Sequence, residues 1–269
     1  LSDSVFKDNV VIITGASLGI GRELALQLAE HGAHIALAAR DEERLTQVAA
    51  QCRERGAAVI AVPTDVSDSA QCRRLIDESL KSFGRIDSLV NNAGVGMWSK
   101  FEDVQDITVF ERLMRINYLG SVYCTYYALQ HLKQTRGRIV VVSSLSGKMG
   151  VHLRSGYAAS KHAQAGLFDS LRIELMGEGV SVTVAYPDFV ATGGRARNLD
   201  KEGKPAGHVP PYGKHTMSSQ ECARIIIDAA AKRKRDVIMT TRGKIGQWAR
   251  LIIPGLVDRI TRRASEKGE

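Results

Sequence analysis

The chain has 269 residues, 44% hydrophobic and 25% charged, with 25 Gly, 6 Pro and 6% aromatic content. These proportions are ordinary for a globular chain and exclude collagen-like, low-complexity and intrinsically disordered readings. The formal net charge of +8 is concentrated at one end: residues 1–231 carry 26 Lys+Arg against 25 Asp+Glu, and residues 232–269 carry 11 against 4.

At roughly 150 residues per domain the length allows one or two domains, and α/β chains of this size often fold as one around a large core. The longest apolar runs, such as Val10 to Ile13 and Ile35 to Ala39, fall far short of the roughly 20 residues that a membrane-spanning helix needs. Cys52, Cys72, Cys124 and Cys222 are widely spaced with no Cys-x-x-Cys. They read as reduced, buried thiols of a cytoplasmic protein. The first residue is Leu1 rather than Met, which leaves a removed N-terminal segment open, and the residues present carry no targeting signal.

In chain order, Asn9 to Thr14 is a β-rich apolar run ending in glycines, and Arg22 to His31 places Leu24, Ala25, Leu28 and Ala29 at helical spacing. The pattern then repeats: strand His34 to Ala39, helix Asp41 to Arg55, strand Ala57 to Pro63, helix Ser67 to Phe83 and strand Ile86 to Asn91. Asp68 or Ser67 is the expected cap of that last helix. Helical stretches follow near Thr108 to Thr135, then strand Arg138 to Ser143, helix Gly156 to Met176, strand Val180 to Tyr186, helix Ser219 to Lys232 and strand Val237 to Thr240. Seven short apolar strands alternating with helices predict a doubly wound α/β fold, a parallel sheet covered on both faces. Ligands then belong at the carboxyl ends of the strands. The breaker-rich stretch Gly193 to Tyr212 is long enough to be a functional loop or lid.

The first strand ends in Thr14-Gly15-Ala16-Ser17-Leu18-Gly19-Ile20-Gly21, with glycines spaced G-x-x-x-G-x-G. Such a turn brings backbone close to a pyrophosphate and offers it the N–H groups and positive dipole end of the following helix. A tight strand-to-helix turn is the structural alternative, and the position after the first strand of a β-α-β array favours the binding reading. Where NAD-selective sites place an acid, at the end of the second strand, this chain has Ala39 and then Arg40. An arginine there can pair bidentately with a 2′-phosphate, so NADP(H) is preferred, with Arg22 as a helper and NAD(H) left open. Pairing of Arg40 with Asp41 or Glu43 is the alternative.

Tyr157 and Lys161 are four residues apart, so on a helix they share a face. Positive charge beside a phenol favours the phenolate, which a proton-exchanging tyrosine needs near neutral pH. That pair alone is common surface decoration. Taken with Asn91-Asn92-Ala93-Gly94, Asn117, Asp65-Val66 and Ser143-Ser144, with Ser144 thirteen positions before Tyr157, it resembles the short-chain dehydrogenase/reductase family in its short-core subgroup. The resemblance runs from Lys7 to about Thr241, and the motifs stand in the family's order.

The resemblance implies a single Rossmann-type domain, residues 1–242, followed by a basic extension, residues 243–269. It implies that Tyr157 is the general acid for carbonyl reduction and the base for alcohol oxidation, and that Ser144 hydrogen-bonds the substrate oxygen. Lys161 would lower the tyrosine pKa and hold the nicotinamide ribose, and Asn117 would support a water linking Lys161 to solvent. Gly15, Ser17, Leu18, Gly19, Ile20 and Gly21 would cradle the pyrophosphate, and Asp65 and Val66 would contact adenine. Asn92, Ala93 and Gly94 would border the cofactor, with Pro187, Val190 and Thr192 near the carboxamide. Hydride passes directly between nicotinamide and carbon, so no metal is expected. The family's usual Pro-Gly after the sixth strand is here Pro187-Asp188, which makes Asp188 a candidate substrate contact.

The family's pocket segments hold Val95, Met97, Trp98, Leu145, Met149, Val151, Leu153 and Phe189, with Lys148 and His152 as scattered charges. Together with Ser144, Tyr157 and Asp188 these predict an apolar site for a lipophilic ketone, aldehyde or alcohol. From Gly243 to Arg263, Ile245, Trp248, Leu251, Ile252, Leu256, Val257 and Ile260 alternate with basic residues, and Pro254-Gly255 splits the stretch into two helices. This basic amphipathic tail fits peripheral contact with an anionic membrane, a cover over the pocket, or an ordinary intramolecular helix. The extension points to the 11β-hydroxysteroid-dehydrogenase-like branch, whose vertebrate relatives are membrane-associated. No nucleic-acid recognition module accompanies the basic residues, so no nucleic-acid partner is expected.

The expected function is an NADP(H)-dependent carbonyl reductase or alcohol dehydrogenase. The alternatives are a 3-oxoacyl-thioester reductase and a non-catalytic NADPH-sensing scaffold, while the resemblance ranks nucleotide-sugar epimerases low. By family analogy the chain forms a homodimer or homotetramer through the helices containing Asn117 and Tyr157.

Overall fold

Val10, Val11, Ile12 and Ile13 are all buried, and a strand apolar on both faces needs helices above and below it. The computed structural model, which describes residues 5–207 and 216–267 without the side chains of Arg195 and of 264–267, supplies them. The order is β1 (Val10–Thr14), α1 (Gly19–Glu30), β2 (His34–Ala39), α2 (Glu42–Glu54), β3 (Val59–Pro63), α3 (Ser69–Phe83) and β4 (Ser88–Asn91). Then come α4 (Thr108–Leu113), a π-helical turn Met114–Leu119, α5 (Gly120–Thr135), β5 (Arg138–Val142), α6 (Ser155–Glu174) and β6 (Ser181–Tyr186). The chain closes with β7 (Val190–Ala191), β8 (Met217–Ser218), α7 (Ser219–Ala231), β9 (Asp236–Ile238), α8 (Thr241–Ile252) and α9 (Pro254–Lys267).

The main sheet has seven strands in the order β3-β2-β1-β4-β5-β6-β9, and every pairing is parallel. This is the expected doubly wound, Rossmann-type fold. One face is sealed by Leu24 and Leu28 of α1, Leu45 and Val48 of α2 and Ile226 and Ile227 of α7. The other is sealed by Leu75 and Ile76 of α3, Cys124 and Leu132 of α5 and Phe168 of α6. Each such side chain contributes about 1.5–3 kcal/mol through burial. All four cysteines are free and buried.

Local chemistry sets the helix ends. Asp41 accepts the Arg44 N–H at 3.2 Å and starts α2, and Asp68 accepts from Ala70 at 2.8 Å and starts α3, as expected. Gly84, at φ 75°, ends α3 in the left-handed region that favours glycine. The chain leaves β1 toward β2 and β3 on one side and returns to β4 on the other. A crevice therefore opens at the carboxyl ends of β1 and β4, between Thr14 and Asn91.

Most boundaries shift by one or two residues, and three differences bear on the site. α1 begins at Gly19 rather than Arg22, because the glycine turn is itself the first helical turn. The helical stretch 108–135 is broken in register by the π-turn, which carries Asn117. β9 ends at Ile238, and Thr240 instead accepts the Gly243 N–H at 3.1 Å as the cap of α8. The expected boundary between 242 and 243 thus falls inside α8. A Cβ on Gly243 would lie 2.9 Å from Leu145 Cδ1, so the helix rests directly on the body. Residues 208–212 of the expected lid lie outside the described residues. Of its remainder, Leu199 is buried and bridges Met97. Among the described residues no helix is long and apolar enough to cross a membrane.

Candidate active site

The glycine turn is held to the end of β4 by two side chains, Thr14 and Asn92. Thr14 Oγ1 donates to the Val90 carbonyl at 3.2 Å and accepts the N–H groups of Asn92 and Ala93, each at 3.0 Å. Asn92 Nδ2 in turn donates to the carbonyls of Thr14 at 2.9 Å and Gly15 at 3.2 Å. Gly15 and Gly19 sit at φ 65° and 57°, and a Cβ on Gly21 would stand 2.3 Å from the Gly15 carbonyl oxygen. Only glycine fits there. Leu18, the residue before α1, makes no side-chain cap, which leaves the first-turn N–H groups facing the crevice. This uncapped, glycine-lined cradle fits a dinucleotide pyrophosphate through Gly15, Ser17, Leu18, Gly19, Ile20 and Gly21. Thr192 lies against Gly19 across the crevice, and Val190 is buried beneath it in β7.

At the end of β2, Arg40 is exposed and makes no hydrogen bond or ion pair among the described residues. Its neighbour Asp41 is engaged instead, with Arg44 at 3.3 Å and with Arg197 at 3.4 Å, which ties the loop after β7 to this end of the sheet. Arg22, the expected helper, is taken by Glu23 at 2.5 Å and Gln51 at 3.1 Å. Asp65 Oδ1 accepts from Ser67 N and Oγ at 2.9 and 2.7 Å, and Val66 packs into the space that Gly120 leaves open.

Asn117, Lys161, Ser144 and Tyr157 converge at the other end of the crevice. Asn117 is buried; its Oδ1 accepts the Val95 N–H at 2.8 Å and its Nδ2 donates to the Val95 carbonyl and to Ser160 Oγ, both at 2.9 Å. Lys161, 3% exposed, donates from Nζ to the Val142 carbonyl at 2.9 Å and to Gln164 Oε1 at 3.1 Å. No anionic partner for it stands among the described residues, and burial pulls the ammonium down to about 7. Exposed Gly94 closes over the pair, since a Cβ there would lie 3.1 Å from Asn117 Oδ1 and 3.5 Å from Lys161 Nζ.

Lys161 Nζ stands 6.0 Å from the Tyr157 ring centroid. Burial raises the phenol above its ordinary value, and the Arg154 charge and the Ser144 hydroxyl pull it back. Ser144 follows β5 in extended backbone, and its Oγ accepts the Ser146 N–H at 3.1 Å. Leu145 N donates to the Pro187 carbonyl at 2.9 Å, which joins the serine turn to the segment after β6.

Other pocket expectations resolve differently. Met97 is fully buried with Val109, Leu113 and Leu199 and belongs to the core. Leu145 and Met149 line the side covered by α8, where Gly246 approaches the Met149 methyl. Asp188 Oδ2, expected to meet substrate, accepts from Arg242 Nε at 2.6 Å and Thr240 Oγ1 at 3.2 Å. Its carboxylate pins the start of α8, a partnership 54 residues away that no local pattern announces. Two further residues went unremarked in the sequence. Gln164 lies one turn past Lys161 on its own face. Arg154 lies three residues before Tyr157, its guanidinium carbon 4.9, 5.5 and 5.9 Å from the ring centroids of Trp98, Phe189 and Tyr157. The i+3 and i−3 spacings were the available signal.

Comparison with known proteins agrees with this geometry. The family model for short chain dehydrogenases matches residues 9–203. An 11-beta-hydroxysteroid dehydrogenase-like protein of Arabidopsis thaliana is 39% identical over 92% of this chain and 82% of its own. An 11-beta-hydroxysteroid dehydrogenase of Pinus massoniana is 37% identical over 93% of this chain and 72% of its own. Among solved structures, a short chain dehydrogenase/reductase from Burkholderia phymatum in complex with NAD superposes with a TM-score of 0.82 at 26% identity, covering 93% of this chain and 95% of that one. An alcohol dehydrogenase from Thermococcus sibiricus complexed with 5-hydroxy-NADP gives 0.75 at 27% identity, covering 87% and 96%. On the family match over residues 9–203 and these relatives, the chain belongs to the short-chain dehydrogenase/reductase family of oxidoreductases, with 11β-hydroxysteroid-dehydrogenase-like features.

Proposed function

We propose that the protein is an NADP(H)-dependent oxidoreductase that interconverts a lipophilic ketone or aldehyde and its alcohol. The observation that carries this reading is the convergence of the Ser144 hydroxyl, the Tyr157 phenol and the buried Lys161 ammonium at the end of a glycine-lined crevice. A bound nicotinamide supplies or accepts the hydride. Ser144 donates a hydrogen bond to the substrate oxygen and steadies the charge that develops on it. Tyr157 gives that oxygen its proton in reduction and takes it in oxidation. Lys161 holds the ribose and favours the phenolate, and Asn117, fixed through Val95 and Ser160, supports the water that refills the relay. Asp65, Val66, Asn92, Ala93, Gly94, Pro187, Val190 and Thr192 border the dinucleotide.

The NADP(H) preference rests on Arg40, whose charge stands exposed while Asp41 is engaged elsewhere. The lipophilic substrate rests on Leu145, Met149, Trp98 and Phe189, and on the hydroxysteroid-dehydrogenase names of the relatives. Deuterium transfer tests the reading. With NADPH labelled at C4, the label appears on the carbinol carbon of the product in the wild type and not in Y157F. Turnover without label transfer overturns it.

We also infer a cytoplasmic protein whose tail contacts an anionic membrane surface. Ile245, Trp248, Leu251 and Ile252 of α8 and Ile260 of α9 are exposed beside Lys244, Arg250, Arg259, Arg262 and Arg263. Because α8 covers Leu145, charge reversal of Arg259, Arg262 and Arg263 is a cleaner test than deletion. Reversal that leaves co-sedimentation with anionic liposomes unchanged contradicts the inference. Self-association as a homodimer or homotetramer rests on Tyr126 of α5 and Ile173 of α6, exposed by 74% and 67%. Sedimentation as a monomer at micromolar concentration contradicts it.

A further inference from the structure

Leu153 occupies the left-handed region at φ 65°, costly for a branched side chain, and its carbonyl accepts the Ser99 N–H at 3.0 Å. This fixed kink delivers the next residue, Arg154, to the start of α6 and into the space between three rings. Its guanidinium carbon lies 4.9 Å from the Trp98 centroid, 5.5 Å from Phe189 and 5.9 Å from Tyr157. Aromatic faces attract a cation placed over them. Arg154 is thus as near the Tyr157 ring as Lys161 Nζ, which stands at 6.0 Å.

The two cations differ in kind. Lys161 is enclosed with only neutral acceptors, the Val142 carbonyl and Gln164 Oε1, and burial brings its ammonium down to about 7. Near neutral pH it holds its proton only part of the time. A guanidinium keeps its charge throughout the working range.

Among the described residues the other charged or titratable groups on the elements around Tyr157 are engaged or exposed, except His152, whose Nδ1 is buried without a hydrogen-bond partner. Asp188 and Arg242 bind one another at 2.6 Å beside Phe189. On α4, which packs against α6, Arg112 donates to the Gly203 carbonyl at 2.7 Å and Glu111 is exposed, as is Arg115 on the π-turn. His152 precedes Arg154 by two residues on the same strained segment.

We propose that Arg154 is a positioning residue for Tyr157: its ring-boxed guanidinium supplies a permanent positive charge that favours the phenolate, which Lys161 supplies only while protonated. The inference rests on Tyr157 being the proton-exchanging group of the proposed reaction, but its test needs no turnover. A unit charge about 6 Å away in a medium of effective dielectric about 20 displaces a titration by about two pH units, and partial exposure to solvent reduces this to about one.

The experiment is ultraviolet titration of tyrosinate in the free protein, with Tyr157 isolated as the difference between each protein and its Y157F counterpart. R154M raises the Tyr157 midpoint by about one pH unit, and R154K, which restores charge without the planar fork, recovers more than half of that shift. A midpoint unmoved in R154M overturns the proposal. So does R154K shifting the midpoint as far as R154M, because the loss then comes from loosening the aromatic box rather than from charge. Turnover by Y157F bears on the proposed function alone, and the titration decides the role of Arg154 independently of it.

Discussion

Asn117 and Val95 close a two-point hydrogen-bonded ring: the Asn117 amide oxygen accepts the Val95 N–H at 2.8 Å, and its amide nitrogen donates to the Val95 carbonyl at 2.9 Å. The π-turn makes this ring, since one extra residue in the helical register aims Asn117 at the segment after β4 rather than along α5. Gly94, which borders the crevice, is thereby held one residue away.

Replacing Asn117 with Ala leaves the Val95 N–H and carbonyl and Ser160 without their partner in a buried place. A loss of about 2–3 kcal/mol in unfolding free energy follows. Urea denaturation measures it, and N117D, which keeps the acceptor for the Val95 N–H but sets a second acceptor against the Val95 carbonyl, is no more stable than N117A.

Lys161 makes stability depend on pH in a direction that can be worked out. Its folded-state value of about 7 lies below the unfolded value near 10.4, so the unfolded chain binds more protons between the two. Stability from this group therefore rises as pH increases from about 7 to about 10. At pH below 7 the full penalty applies, on the order of 5 kcal/mol as a ceiling. Thermal unfolding of wild type relative to K161M shows this upward slope between pH 7 and 9.5. Parallel curves for the two proteins contradict it.

Cofactor recognition separates into a shared and a selective part. G21A forces a Cβ to within 2.3 Å of the Gly15 carbonyl oxygen, so NADPH and NADH binding fall together, by more than tenfold. R40A removes a charge-assisted contact worth about 1.5–3 kcal/mol and weakens NADPH alone by about 10- to 100-fold. Isothermal titration with both nucleotides measures the pair, and equal losses in R40A contradict the assignment of Arg40.

Asp188 anchors α8 through Arg242 and Thr240. The bridge is partly solvated, so D188A costs about 1 kcal/mol locally rather than globally. Hydrogen exchange across residues 241–252 speeds up several-fold in D188A, while that of β1 and β5 is unchanged. Unaltered exchange in α8 contradicts the anchoring role.

The strands and helices were legible because apolar spacing is a local property, and the glycine turn, Asn117, Ser144, Tyr157 and Lys161 because the family's motifs carry them. What escaped depends on distant chain. Asp188 looks available until Arg242, 54 residues on, is folded against it. Met97 reads as a pocket residue until Leu199, in the segment after β7, covers it. Arg154 goes unremarked, because nothing local says that Leu153 will take a left-handed backbone and turn it among Trp98, Phe189 and Tyr157. Thr240 reads as the end of a strand, and its side chain caps a helix instead.

The most direct test of the account is oxidation of NADPH and NADH by wild type, Y157F and S144A across aldehydes, diketones, steroid ketones and an acetoacetyl thioester. Turnover of a lipophilic carbonyl with NADPH, reduced about 10²- to 10⁴-fold in Y157F, is the expected result. Tight NADPH binding with no turnover of any member, or turnover that Y157F retains in full, contradicts the proposed Ser144–Tyr157–Lys161 chemistry.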